Sequence, residues 1–155
     1  VKDKIIIGRK DKADLPSLHL HNVAVKIDSG AYSCSIHCES VEEIEVNGKF
    51  ILEVVFLDKE HPKYTSEKVK FEKFRTKKVR SSTGYQQERY FVELGIVLFD
   101  KEIITDFSLT KRNGLRNPIL LGRKLLNTNF VIDTCFTNLS FRKKQQKIRK
   151  IKDTI

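Results

Sequence analysis

Apolar side chains recur at every second position over long stretches of this chain, a period that buries one face only when the backbone is extended as a β-strand. Val23, Val25 and Ile27 alternate with Ala24, Lys26 and Asp28, and Phe50, Leu52, Val54 and Phe56 repeat the rhythm. It returns at Tyr90, Val92, Leu94, Ile96 and Leu98, then at Ile103, Thr105, Phe107 and Leu109. Turn chemistry separates the runs. Asn47-Gly48 is a two-residue hairpin signal, because both central residues of such a turn need positive φ, and Asp100-Lys101 stands where a second hairpin would turn. Helical character is confined to residues 123–127, after Gly122. Strands at this density predict an all-β fold, closed or folded over into a barrel, with one short helix.

The chain has 155 residues, 39% of them hydrophobic, which suffices for one core and predicts one folded domain. No apolar run approaches the roughly 18 residues a membrane span needs, and the first residues show neither a signal-peptide nor a lipidation pattern, so no membrane partner is expected. Cys34, Cys38 and Cys135 are odd in number and lack CxxC spacing. That argues against a disulfide framework and fits a reducing compartment; the expected location is the cytoplasm.

The net charge is +10, but residues 142–152 hold seven bases and no acid, leaving 23 bases against 19 acids, +4, over residues 1–141. The division predicted is a folded domain over 1–141 and a basic, frayed tail over 142–155. A second basic stretch, residues 68–80, lies inside the domain and carries seven Lys or Arg against Glu72 alone. Nucleic acid is not an expected partner, because no aromatic RNP pattern, zinc knuckle or Gly-x-x-Gly clamp accompanies these bases.

The residues that carry chemistry are Lys26-Ile27-Asp28-Ser29-Gly30-Ala31. Alternation sends Val23, Val25 and Ile27 to the buried side and Asp28 to the other, so the strand delivers a carboxylate straight into a turn. Ser29 offers a hydroxyl that can bond locally, and Gly30, lacking Cβ, lets backbone or ligand approach the carboxylate. Alone, Asp-Ser-Gly is an ordinary turn tripeptide. About ninety residues downstream, however, Asn117-Pro118-Ile119-Leu120-Leu121-Gly122-Arg123 forms an apolar strand running into Gly and a short helix.

This ordered pair resembles the retropepsin-like aspartic proteases, in which a strand ending in Asp-Thr/Ser-Gly-Ala is followed by a flap hairpin, a further hairpin and a two-apolar-Gly-Arg segment. The flap tip would be Arg80-Ser81-Ser82-Thr83-Gly84-Tyr85 and the further hairpin residues 90–109. More narrowly, the chain is similar to the bacterial retropepsin-like family labelled ATP-dependent zinc protease and associated with ATP-grasp glutamate ligases. The similarity runs through Ile7-Gly8-Arg9-Lys10, Asp14-Leu15-Pro16, residues 26–37 and 80–89, Ser108-Leu109-Thr110-Lys111-Arg112, and residues 118–126. Tyr32 departs from the basic residue many relatives carry, and Ser29 replaces the commoner Thr while keeping the hydroxyl. The resemblance implies a closed acid-protease barrel, Asp28, Ser29 and Gly30 as the catalytic motif, and Ala31 beside it.

The family label promises a metal and a nucleotide, but the residues offer neither a His-Glu-x-x-His helix nor a Gly-x-x-x-x-Gly-Lys-Ser/Thr loop. Cys34, His37, Cys38 and Glu39 lack the spacing of a zinc site; the cysteines read as packing residues and His37 as a hydrogen-bonded support of the loop. No cofactor is expected. An aspartic protease needs two carboxylates sharing one proton. Asp133-Thr134-Cys135 lacks the Gly and reads as structural, so the second aspartate must come from a second copy, which predicts a homodimer with Asp28 on its two-fold axis. The predicted reaction is peptide hydrolysis by an activated water. Arg80, Ser82, Gly84 and Arg89 around the flap, with Arg112 and Arg116, are the expected substrate contacts, and guanidinium forks suit an acidic, glutamate-rich peptide. The alternative function is a peptide-binding or dimerisation module of the same fold that does not cut.

Overall fold

A computed structural model describes residues 3–80, 84–111 and 117–154, Arg80 by its backbone alone. The alternating runs become strands: β1 (Ile5–Ile7), β2 (Lys10–Leu15), β3 (Leu20–Ile27), β4 (Cys34–Val46), β5 (Lys49–Phe56), β6 (Val69–Phe71), β7 (Arg75–Arg80), β8 (Gln86–Leu98), β9 (Lys101–Thr110), β10 (Ile119–Leu121) and β11 (Phe130–Ile132). A 3-10 turn at Pro16–Leu18 and two helices, α1 (Arg123–Asn129) and α2 (Leu139–Asp153), complete the described elements. β1 and β11 pair in parallel. The larger sheet runs β10-β3-β2-β8-β9-β4-β5-β6, with β7 on β8. Because β10 also pairs with β4, the path from β10 through β3, β2, β8, β9 and β4 returns to its start. The chain is mostly β, as its periodicity predicts, and six of its strands form a ring.

Burial follows the alternation. Val23, Val25 and Ile27 are buried while Lys26 is exposed, and Leu52, Val54 and Phe56 enter the same core as Ile36, Ile96, Leu98 and Phe107. Phe50, at a core position by its period, is instead 61% exposed. The β4–β5 hairpin runs on past the core, and periodicity does not say where the core stops.

Asn47 and Gly48 turn that hairpin with φ of 53° and 78°, as their turn chemistry requires. The β8–β9 hairpin turns one residue earlier than expected: Leu98 pairs with Lys101, and Phe99 and Asp100 take φ of 52° and 60°. Tertiary contacts hold Phe99 there. Its ring packs against Phe130 at 6.0 Å between centroids, and its N–H donates to the Ser140 hydroxyl at 2.9 Å.

The basic C-terminal stretch corrects a second expectation, since most of it belongs to α2, a second helix, and is not frayed. Asp11, buried near the start of β2, accepts the backbone N–H groups of Ser140 at 2.9 Å and Phe141 at 3.1 Å, and so caps α2 from 129 residues away. Lys144 donates to both carboxylate oxygens of Asp14 and to Asn22, Lys147 donates to Asp100 at 2.7 Å, and the Lys12 ammonium lies over the Phe141 ring. A run of like charges reads as a solvated tail only while its partners are out of sight.

Asp14 titrates below the ordinary 3.8: burial, the largest single influence, works to raise it but is outweighed by hydrogen bonds from Lys144 and the Asn22 N–H and by the nearby positive charges. The folded value lies below the unfolded one, so this contribution to stability is complete above about pH 4 and is lost as pH falls through the folded value. Lys144→Ala is therefore expected to cost about 1 kcal/mol at pH 7 and much less at pH 3. Urea unfolding at both pH values checks it; an equal loss at both would contradict it.

Candidate active site

β3 ends at Ile27, and Asp28 follows at the first residue of the connection to β4. β10 fits between the two strands flanking that connection: Leu121 pairs in parallel with Ile27, and Leu120 pairs antiparallel with Ser35. The Asp28 N–H donates to the Leu121 carbonyl at 2.9 Å, which fixes where the carboxylate leaves the sheet. The Gly30 N–H then donates to Asp28 Oδ1 at 3.0 Å and orients it. A Cβ on Gly30 would lie 3.3 Å from that oxygen, so glycine keeps the carboxylate uncrowded. Asp28 is half-buried, Ser29 and Gly30 are exposed, and among the described residues Asp28 forms no ion pair.

The far side of the loop rests on the start of α1. The N–H groups of Arg123 and Lys124 donate to the carbonyls of Ala31 at 2.8 Å and Tyr32 at 2.9 Å, and the Arg123 guanidinium donates to the Ser29 carbonyl at 3.0 Å. Such close approach is open only to glycine at position 122, where a Cβ would lie 2.5 Å from the Ser33 carbonyl oxygen and 2.6 Å from that of Tyr32. The two segments matched in the sequence, the Asp-Ser-Gly turn and the Leu-Leu-Gly-Arg strand, thus meet as one unit.

His37 supports this unit from beneath. It is buried, with Nε2 2.9 Å from Asp58 Oδ2, while its N–H donates to the Pro118 carbonyl and its carbonyl accepts the Leu57 N–H. Cys34 and Cys38 are buried, and burial pushes both thiols up from their ordinary value, away from the thiolate. Among the described residues no group of three His, Cys, Asp or Glu side chains is placed to hold a metal. Asp133 sits in the turn after β11, its Oδ1 accepting the Cys135 N–H at 3.0 Å and its own N–H bound to Ile7.

β7 and β8 form a hairpin at the position expected for the flap, paired from Arg75↔Phe91 to Arg80↔Gln86. Gly84 takes φ of 86° at its tip, and Tyr85 beside it is 77% exposed. Ser82, Arg112 and Arg116 lie outside the described residues. Arg89 is half-buried on β8 and lines a cavity of about 460 Å³ with Val41, Glu88, Tyr90, Thr110 and Lys111, beside the strand that leaves the Asp28 loop. Two contributions have no signal in the sequence. Lys111 joins Arg89 in that cavity through a long-range strand arrangement. Asp106 on β9 accepts from Arg75 at the root of the flap and from Lys124 at 3.1 Å, tying the flap to the helix that carries the loop.

A crystal structure of a Legionella pneumophila protein of unknown function (DUF785) superposes with a TM-score of 0.60 at 28% identity, covering 89% of this chain and 99% of that one. Probable alpha-L-glutamate ligases from Shewanella pealeana and Parasynechococcus marenigrum are 24% and 25% identical over 135 residues, 84% of this chain in both cases. The chain spans only 29% and 28% of those relatives' lengths. The model of the RimB-like family, described as retropepsin-like aspartic endopeptidase RimB, matches residues 6–143, and the chain belongs to that family.

Proposed function

We propose that this domain is an aspartic peptidase in which two copies of Asp28, one from each protomer of a homodimer, share a proton and activate one water. The observation that carries the reading is the Asp28 carboxylate at the end of β3, oriented by the Gly30 N–H. Two carboxylates about 3 Å apart do not both ionise, so one is base and the other acid. The ionised member takes a proton from water as the oxygen attacks the amide carbonyl; the protonated member bonds the carbonyl oxygen. As the tetrahedral adduct collapses, a proton passes to the departing nitrogen and the carbon–nitrogen bond breaks, with no acyl-enzyme formed. The direct test follows specific activity against protein concentration alongside sedimentation. Activity rising as the dimer forms, and unchanged by a chelator, is the expected result; full activity in a monomer would remove the paired carboxylates.

The proposed substrate is an acidic, glutamate-rich peptide. Arg89 and Lys111 outnumber Glu88 among the charged residues of the cavity beside β4, which leaves it net positive by one. Relatives named as glutamate ligases carry a matching stretch within longer chains, which gives the acidic preference a chemical source. Not all of the basic stretch is available: Arg75 is engaged by Asp106, and Lys68 lies 3.7 Å from Glu53. Replacing Arg80 and Arg89 together by Ala should lower kcat/KM on oligoglutamate roughly ten-fold or more and on a neutral peptide less than about two-fold. Equal losses would count against recognition of acid by these residues.

A further inference from the structure

The helix expected to be a loose tail instead roofs a groove. α2, β2 and the Phe99-Asp100 turn enclose a cavity of about 420 Å³ that has apolar side chains at its floor and lysines at its rim. Val97 and Phe99 form the floor. Lys144 and Lys147 are neutralised by Asp14 and Asp100, whereas Lys12, Lys143 and Lys150 also line the groove and form no ion pair among the described residues. The groove is therefore positive by about three charges. Lys143 and Lys150 stand seven residues apart on one helix face, about 10 Å along the axis. Residues 144–153 lie beyond the stretch matched by the family model.

None of the residues lining the groove belongs to the Asp28 loop, and the groove lies at the opposite end of β8 from the flap hairpin. β8 runs from the flap at Gln86 to Leu98 beside the groove, thirteen residues and roughly 40 Å of strand.

We infer that this groove binds an acidic peptide segment carrying one apolar side chain, which seats on Val97 and Phe99 while flanking carboxylates meet Lys143, Lys150 and Lys12. Charge complementarity selects an anion, and the apolar floor selects one with a hydrophobic anchor. A single-stranded nucleic acid would need an aromatic face for its bases. The Phe99 ring is already packed on Phe130, and Arg142 and Arg149 do not line the groove. The inference does not rest on peptidase activity; if that activity is established, the groove is a second anchoring point for acidic chains.

The test uses the full chain with Asp28→Asn, so that no cleavage intervenes. It is titrated in low salt, by fluorescence anisotropy, with a labelled peptide of six glutamates around a central leucine. Lys143→Glu with Lys150→Glu leaves the pairs to Asp14 and Asp100 in place, and helicity by circular dichroism verifies that α2 persists. The double variant is expected to weaken binding roughly ten-fold, and Leu→Ser in the peptide several-fold. Unchanged affinity in the double variant overturns the inference. So does an affinity that falls with Arg89→Ala and not with the lysine pair, since the peptide then sits at the flap. An oligoribonucleotide that binds more tightly than the peptide and is lost in the same double variant also overturns it, giving the groove to nucleic acid.

Discussion

Asp28→Asn is expected to lower peptide turnover roughly a thousand-fold, about 4 kcal/mol of transition-state stabilisation, while the melting temperature and the dimer are retained. The amide is nearly the same size as the carboxylate, and its oxygen still accepts the Gly30 N–H that holds Asp28 in place. What it lacks is the ability to take a proton from water and to share one with its twin. The loss should fall on kcat more than on KM if, as proposed, the flap and Arg89 share the holding of the peptide with Asp28. A protein that only binds peptides would show no turnover to lose and an unchanged affinity. Steady-state kinetics together with peptide titration of both proteins separates the two readings.

Gly122→Ala is expected to be the most damaging small substitution near the site. The added methyl would lie 2.5 Å from the Ser33 carbonyl oxygen, 2.6 Å from the Tyr32 oxygen and 2.7 Å from the Tyr32 carbonyl carbon. All three are backbone atoms, and the Tyr32 oxygen is also tied to the Lys124 N–H. No side chain can swing aside, so the loop or α1 must move. Gly122 has φ of −96°, an ordinary extended value, so the cost is steric and not conformational. Overpacking of this kind costs about 3 kcal/mol, which for a chain of this size lowers the melting temperature by roughly 6–12 °C. Turnover should fall as well, because the displaced loop is the one that aims Asp28. Thermal unfolding within about 2 °C of the parent would show that the contact is softer than it looks.

Where the chain's local rules decide the structure, they were legible. Val23, Val25 and Ile27 reveal their face by alternation, Asn47-Gly48 reveals its turn by the positive φ both residues accept, and the Asp-Ser-Gly and Leu-Leu-Gly-Arg segments point to one another through a family resemblance. What was hidden depends on partners remote in sequence. Nothing near Ser140 announces that Asp11 will cap it, so residues 142–155 read as a tail. Nothing near Phe99 announces Phe130, so local turn chemistry points to a hairpin one residue later than the one that forms. Asp106 looks like any polar strand residue until Arg75 and Lys124 converge on it.

The strand that completes the ring has a bearing on how the protein comes into being. β10 supplies the carbonyl on which Asp28 hangs, yet it lies at residues 119–121, more than ninety positions after the acid. A nascent polypeptide made only as far as residue 100 would own the acid but not its mounting. Folding must wait for this distant segment to find its slot, which places the protein among slow, high-contact-order folders with refolding times of about milliseconds to seconds.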